Sequence, residues 1–293
     1  MTALSPTIRT DDEIFDELLP EEDEQRSAAR RVAGVIGHVL GQTVWRCAAL
    51  VLFALLWEFG PKYLLDPSAR VFLPPLHEDL QAGWRLLRNG QLETDLGASL
   101  KRAAIGFGGA IVIAVPLGVV IAWYRPVQRF LNPLLELFRN TAALALLPVF
   151  VLLLGIGELS KDTIVAYAAT FPILLNTIAG VRAVDPLLVR AARSLGLSSP
   201  RLFVKVVLPS ALPTIFTGIR MAGASAILVL IAAEMVGAKA GLGFLIMNAQ
   251  NSFQMPDMYA GILATAVVGT VVNYGLVLLE RHFSRWRGDI AAR

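Results

Sequence analysis

The sequence is poor in the residues that build metal sites, disulfides and nucleotide pockets. It holds one cysteine, Cys47, and three histidines, His38, His77 and His282, in separate regions. One thiol makes neither an internal disulfide nor a cysteine-based metal site, and histidines without ligand spacing do not point to zinc. A glycine-rich loop ending in Gly-Lys-Ser/Thr, which would cradle phosphates, is missing, so the chain is not expected to hydrolyse ATP itself. Gly241 and Gly243 lack the third glycine and the preceding strand of a dinucleotide loop and read as a turn. Charge is scarce at 17%. The net charge of +3 and pI near 9.2 come from basic residues beside apolar stretches, which excludes an aromatic-interleaved nucleic-acid patch. A basic stretch running straight into an apolar one is also missing near the start. Nine acids lie between Asp11 and Glu24, so the expectation is no cleaved signal and a cytoplasmic N-terminus.

What is present is apolar. Hydrophobic residues make up 55% of the chain and the mean hydropathy is +0.61, more than a soluble domain needs. A bilayer crossing takes roughly twenty apolar residues, because backbone groups left unpaired in hydrocarbon are costly. Six segments meet or approach that length. Ala103 to Trp123 and Met258 to Leu279 carry no charge, and Thr163 to Val181 ends at Arg182. Thr141 to Ile156 is extended by Leu131 to Asn140, where Glu136 and Arg139 reach toward water. Thr43 to about Tyr63 contains Arg46 and Glu58, and Thr214 to about Ala238 contains Arg220 and Glu234. Pro116, Pro148 and Pro172 fall within these segments and are expected to kink them. Runs of small residues, Gly106 to Gly118 and Ala222 to Ala226, suit close helix packing in lipid.

Six crossings put both termini on one side. Arg182, Arg190, Arg193, Arg201 and Lys205 in one link, with Arg281, Arg285, Arg287 and Arg293 in the tail, mark that side as the cytoplasm. The segment after the first crossing, with Lys62, Arg70, Arg85, Arg88, Lys101 and Arg102, runs against the rule and is placed outside by alternation.

The link from Asp185 to Pro213 is too polar to span and too patterned to be slack. Asp185-Pro186 reads as a cap and first helical position, with Gly196 as the stop. Ser199-Pro200 starts a second helix, expected to run to about Val207 and end at Leu208-Pro209. Leu188, Ala191, Ala192 and Leu195 form an apolar stripe on the first helix, and the alanines let another surface come close.

The spacing Arg190-Ala191-Ala192, Gly196, Val206, Leu208-Pro209 resembles the EAA loop of binding-protein-dependent ABC importer permeases, with Arg190 where the family has glutamate and Val206 where it has isoleucine. Ser99-Leu100-Lys101-Arg102-Ala103, the run Ala145 to Pro148, Gly155 to Lys161, Phe171-Pro172-Ile173, Ala233-Glu234-Met235 and Gly241-Leu242-Gly243-Phe244 are similar to its nitrate, sulfonate, taurine and bicarbonate branch. The resemblance implies an all-α integral membrane protein of the type I ABC importer permease fold, with six transmembrane helices and a cytoplasmic coupling helix. By position, Arg190, Ala191, Ala192, Gly196, Leu208 and Pro209 inherit coupling to the ATPase. The implied partners are ABC ATPase subunits that carry ATP and Mg, an extracytoplasmic solute-binding protein and a second permease copy. This chain itself is expected to bind no cofactor and no nucleic acid. The implied location is the bacterial cytoplasmic (inner) membrane, and the solute is a small, mostly anionic compound.

Expected regions are an acidic cytoplasmic tail and interfacial segment (1–42), the first crossing with an extracytoplasmic segment (43–93), the transmembrane domain (94–280) and a basic tail (281–293). Candidate path residues are Arg139, Asn140, Asn176, Arg220 and Glu234. Arg220 and Glu234 lie on one helix face roughly 21 Å apart, too far to pair. Asn140 with Thr141 opens the third crossing, where a helix N-terminus meets an anion well. The rival reading is an ion-coupled secondary transporter, which has no use for the capped link at 185–213.

Overall fold

The computed structural model describes residues 48–63 and 66–288. The acidic tail, the start of the first crossing and the last five residues lie outside them. The described part of the first unit is α1, residues 48–63, an apolar helix with its Phe53 and Trp57 rings edge-on at 5.7 Å.

The second unit starts at Pro67 and is helical throughout its described residues. Its elements are α2 (Pro67–Arg70), α3 (Leu76–Arg88), α4 (Gln91–Trp123), α5 (Arg125–Asn140) and, after a 3₁₀ turn at Ala143–Leu146, α6 (Leu147–Leu154). Then come α7 (Glu158–Arg182), α8 (Pro186–Ser194), α9 (Ser199–Leu202), a π turn at Phe203–Val207, α10 (Leu208–Glu234), α11 (Leu242–Asn251) and α12 (Met255–Gly288). Among the described residues, four spans are individually long and apolar enough to cross a membrane: α4, α7, the continuous 199–234 helix, and α12. The bent α5–α6 pair is long and apolar enough only when taken together, and counts as a fifth if it is one span.

At the centre stands α7, between α4 and α10, with Ile164, Val165, Ala169, Ile173 and Leu174 enclosed by Ala110 and Ala114 of α4 and Ala222 and Ala226 of α10. Alanine and glycine decide the spacing. A Cβ on Gly106 would sit 2.7 Å from the Asp162 carbonyl oxygen, and one on Gly118 would sit 2.8 Å from Thr177 Cβ. Only glycine lets α4 and α7 approach this closely, which replaces the missing hydrophobic drive between helices in lipid with van der Waals contact.

Two expectations are corrected. The third crossing is not one helix extended from residue 131: α5 is separate and turns by 90° into the segment from Ala143 to Leu154. Thr141 and Ala142 are extended at the corner, and Pro148 lies in the first turn of α6, where its absent N–H breaks no ladder, instead of kinking a span. Nor does the helix after Ser199 end at Leu208-Pro209. It continues through the π turn, in which the Leu208 N–H reaches back to the Phe203 carbonyl. The wider turn shifts the ladder by one residue and places Pro209 where it needs no donor.

Candidate functional site

Two places at opposite ends of the 199–234 helix concentrate polar structure. The first is the link around α8. Asp185 accepts a 2.7 Å hydrogen bond from the Leu187 N–H, capping the helix, and Pro186 occupies its first position. At the other end Gly196 takes φ +77°. Its N–H donates to the Arg193 carbonyl (2.9 Å) and that of Leu197 to the Ala192 carbonyl (3.2 Å), a Schellman closure that a left-handed glycine makes cheap. The link is therefore a rigid short helix.

The apolar stripe on α8 divides. Ala192 is buried, with Val189 beside it, against Val181, Leu202, Val207, Ala211 and Ile215 of the chain's own bundle. Leu187, Leu188 and Leu195 face outward at 64%, 52% and 80% exposure, with Ala191 and Arg190 also exposed. Leu208 is half-buried against the same cluster, and Pro209 is half-buried next to it. So Arg190, Ala191 and Gly196 belong to the outer surface of the link, whereas Ala192 and Leu208 anchor it.

The second place is a buried ion cluster, and its centre is Glu234. Its carboxylate, fully enclosed, accepts from Arg102 Nη1 (2.7 Å), Ser99 Oγ (2.8 Å) and the Gly243 N–H (3.0 Å). Arg102 also donates to the Ala240 carbonyl (2.7 Å) and makes a two-pronged contact with Glu158 at the start of α7, with Nη2 to Oε1 at 2.9 Å. Ser99 accepts from the Leu242 N–H (2.9 Å), and Asp95 from the Gly241 N–H (2.8 Å). Three successive N–H groups at the start of α11, which no helical carbonyl serves, are thus satisfied by side chains of α4 and α10. Lys161, also buried, donates to the Gly157 carbonyl at 3.0 Å. The cluster ties α4, α7, α10 and α11 together, and the enclosed Arg102 and Glu234 are paired, the condition under which buried ions are tolerated.

The other candidate path residues do not converge. Arg220 Nε lies 2.8 Å from Glu280 Oε2 of α12, and Glu280 also accepts from Thr217 (2.9 Å), bordering a groove of about 530 Å³. Asn176 donates to the Pro172 carbonyl (2.8 Å) within α7 and packs against Gly218. Arg139 and Asn140 are exposed at the end of α5, where Tyr167 donates to the Phe138 carbonyl (3.0 Å). The sequence marks Glu234 as a site candidate but not Arg102 and Ser99, which contact it, nor Glu158 and Asp95, which accept from Arg102 and the Gly241 N–H. The available signal was an arginine at the mouth of a charge-free apolar run, facing an equally isolated glutamate.

A family model described as a binding-protein-dependent transport system inner membrane component matches residues 114–288. The taurine transport system permease protein TauC of Escherichia coli K12 is 33% identical over 245 residues, 82% of this chain and 88% of that protein. The nitrate import permease protein NrtB of Synechocystis is 32% identical over 266 residues, 86% and 93% of the two chains. Among solved structures, an inward-facing MetNI methionine ABC transporter aligns with a TM-score of 0.59 at 18% identity, over 68% of this chain and 96% of that one, a likeness of fold.

Proposed function

The chain belongs to the family of binding-protein-dependent transport system inner membrane components and is an ABC importer permease; from that premise we propose that two copies form the path for a small anion of the sulfonate and nitrate class. A binding protein delivers the anion outside, and ATPase subunits carrying ATP and Mg engage the link at α8 inside. Six crossings, with α1 as the first and the α5–α6 pair as the third, put both termini in the cytoplasm and the Arg102–Glu234 cluster near the outer face.

The observation that carries this reading is the outward display of Leu187, Leu188 and Leu195 on a short helix closed at both ends. In a polar link outside the bilayer such leucines have no lipid to cover them, and a protein groove is the fitting cover. Motion follows from connectivity. The helix from Ser199 to Glu234 is continuous, about 54 Å long at 1.5 Å per residue, and joins the link to the ion cluster. Closure of the ATPases around ATP tilts α8, and this lever carries the tilt to the outer ends of α4 and α7, which the cluster binds to it. ATP drives the change only by binding the closed ATPase dimer better than the open one.

Vesicles holding the permease, its ATPase and its binding protein test the reading. Uptake of taurine or nitrate is expected only with ATP and binding protein together. Uptake driven by an ion gradient without ATP would assign the chain to secondary transport.

A further inference from the structure

We infer that the cleft between α5, the end of α7 and the link is a binding site for the headgroup of an anionic phospholipid of the inner leaflet. The inference rests on the orientation proposed above for its depth in the membrane, but not on the identity of the solute.

The cleft has a volume of about 790 Å³ and is lined by Arg125, Arg129, Arg182 and Arg193, with Gln128 and Trp123 among its other walls and no carboxylate in its lining. Gln128 accepts a hydrogen bond from Arg182, which fixes that guanidinium at the wall. Four guanidiniums without a counter-charge attract a group of net negative charge. They disfavour a zwitterionic headgroup, whose ammonium would meet the same arginines. Basic pockets between membrane helices on the cytoplasmic side are where anionic lipid headgroups bind.

The depth of the cleft comes from α5. Along this helix Arg125, Gln128, Arg129, Asn132, Glu136 and Arg139 recur at three- and four-residue spacing on one side. Phe130, Leu134 and Leu137 lie on the other side and are exposed, and no residue of the helix is buried. The start of α5 stands at the ends of α4 and α7, where Gln128 meets Arg182, whereas its far end lies about three turns further along α7, where Phe138 stacks on Phe171 and its carbonyl accepts from Tyr167. In the proposed orientation the start of α5, and with it the cleft, lies at the level of the inner-leaflet phosphates. Trp123 at the end of α4 marks the same level.

One wall of the cleft is Arg193 of α8, so an occupant touches the link and the bundle together. The site is therefore placed where lipid composition alters the setting of the coupling element.

The test uses the permease–ATPase complex in nanodiscs of equal phosphatidylglycerol and phosphatidylcholine, with retained lipid read by native mass spectrometry. The wild type is expected to retain phosphatidylglycerol at least about ten-fold over phosphatidylcholine. Arg125→Gln with Arg129→Gln is expected to abolish that preference, and Arg139→Gln, at the far end of the same helix, to keep it. Arg129→Gln alone, if the double variant does not assemble, is expected to reduce the preference several-fold. Equal retention of the two lipids, or a preference unchanged in an assembled variant, would overturn the site. So would displacement of the lipid by millimolar inorganic phosphate, which would make it a small-anion site, or a preference seen only when the ATPase is absent, which would make the arginines an ATPase contact. Loss of ATPase association with lipid preference intact would instead count against the transporter reading.

Discussion

Arg102 and Glu234 stand 132 positions apart in the chain and 2.7 Å apart in space, and Glu234 is fully enclosed. Removing Glu234 leaves Arg102 its Glu158 ion pair but takes the buried acceptor from the Ser99 hydroxyl and the Gly243 N–H. Glu234→Ala is expected to destabilise the protein by about 3 kcal/mol. Glu234→Gln, which keeps an acceptor for Ser99, is expected to cost about half as much. Thermal unfolding in detergent measures both. Equal stability of wild type and Glu234→Ala would show that the cluster does not hold the four helices together.

Close approach of α4 and α7 gives a second comparison within one helix. Gly106→Ala and Gly118→Ala place a methyl group within 2.8 Å of α7 atoms, whereas a Cβ on Gly108 or Gly109 meets nothing within 4 Å. The first pair is expected to lose about 1–3 kcal/mol each to overpacking, and the second pair to be neutral or slightly stabilised. Unfolding temperatures of the four variants, ranked together, check the prediction.

The closure of α8 gives a third. Asp185→Ala removes the cap at a cost of about 1 kcal/mol, and Gly196→Val forces a branched side chain to φ +77° at about 1–2 kcal/mol. Because both residues lie outside the core, the global unfolding temperature is expected to fall little while amide exchange over 186–195 accelerates. ATPase stimulation is expected to weaken in step with that local opening.

The link was legible in the sequence because every device in it is local: Asp185, Pro186 and Gly196 act on neighbours a few residues away. The long apolar helices were legible for the same reason. What the sequence did not show is who meets whom. Arg220 and Glu234 stood out as charges in apolar surroundings, but their partners, Glu280 and Arg102, lie on other helices and follow only from packing. The segments around Ser99, Glu158, Glu234 and Gly241 that carry the family resemblance prove to be neighbours in one cluster, a relation invisible along the chain. Pro209 misled for a definite reason. A proline ends a helix only when the ladder needs its N–H, and the π turn before it removes that need. The split of the α8 stripe, with Ala192 inward and Leu188 and Leu195 outward, also required the bundle.

The central claim is that α8 is the surface an ATPase grips, and cross-linking tests it most directly. In a Cys47→Ser background, single cysteines at Leu188, Ala191, Leu195 and Ala192 would be joined to the co-expressed ATPase by a short thiol–amine reagent. The first three positions are expected to cross-link strongly, and the buried 192 position to stay silent. An assembled complex in which none of the three outward positions cross-links, or in which position 192 reacts as strongly as they do, would contradict the account.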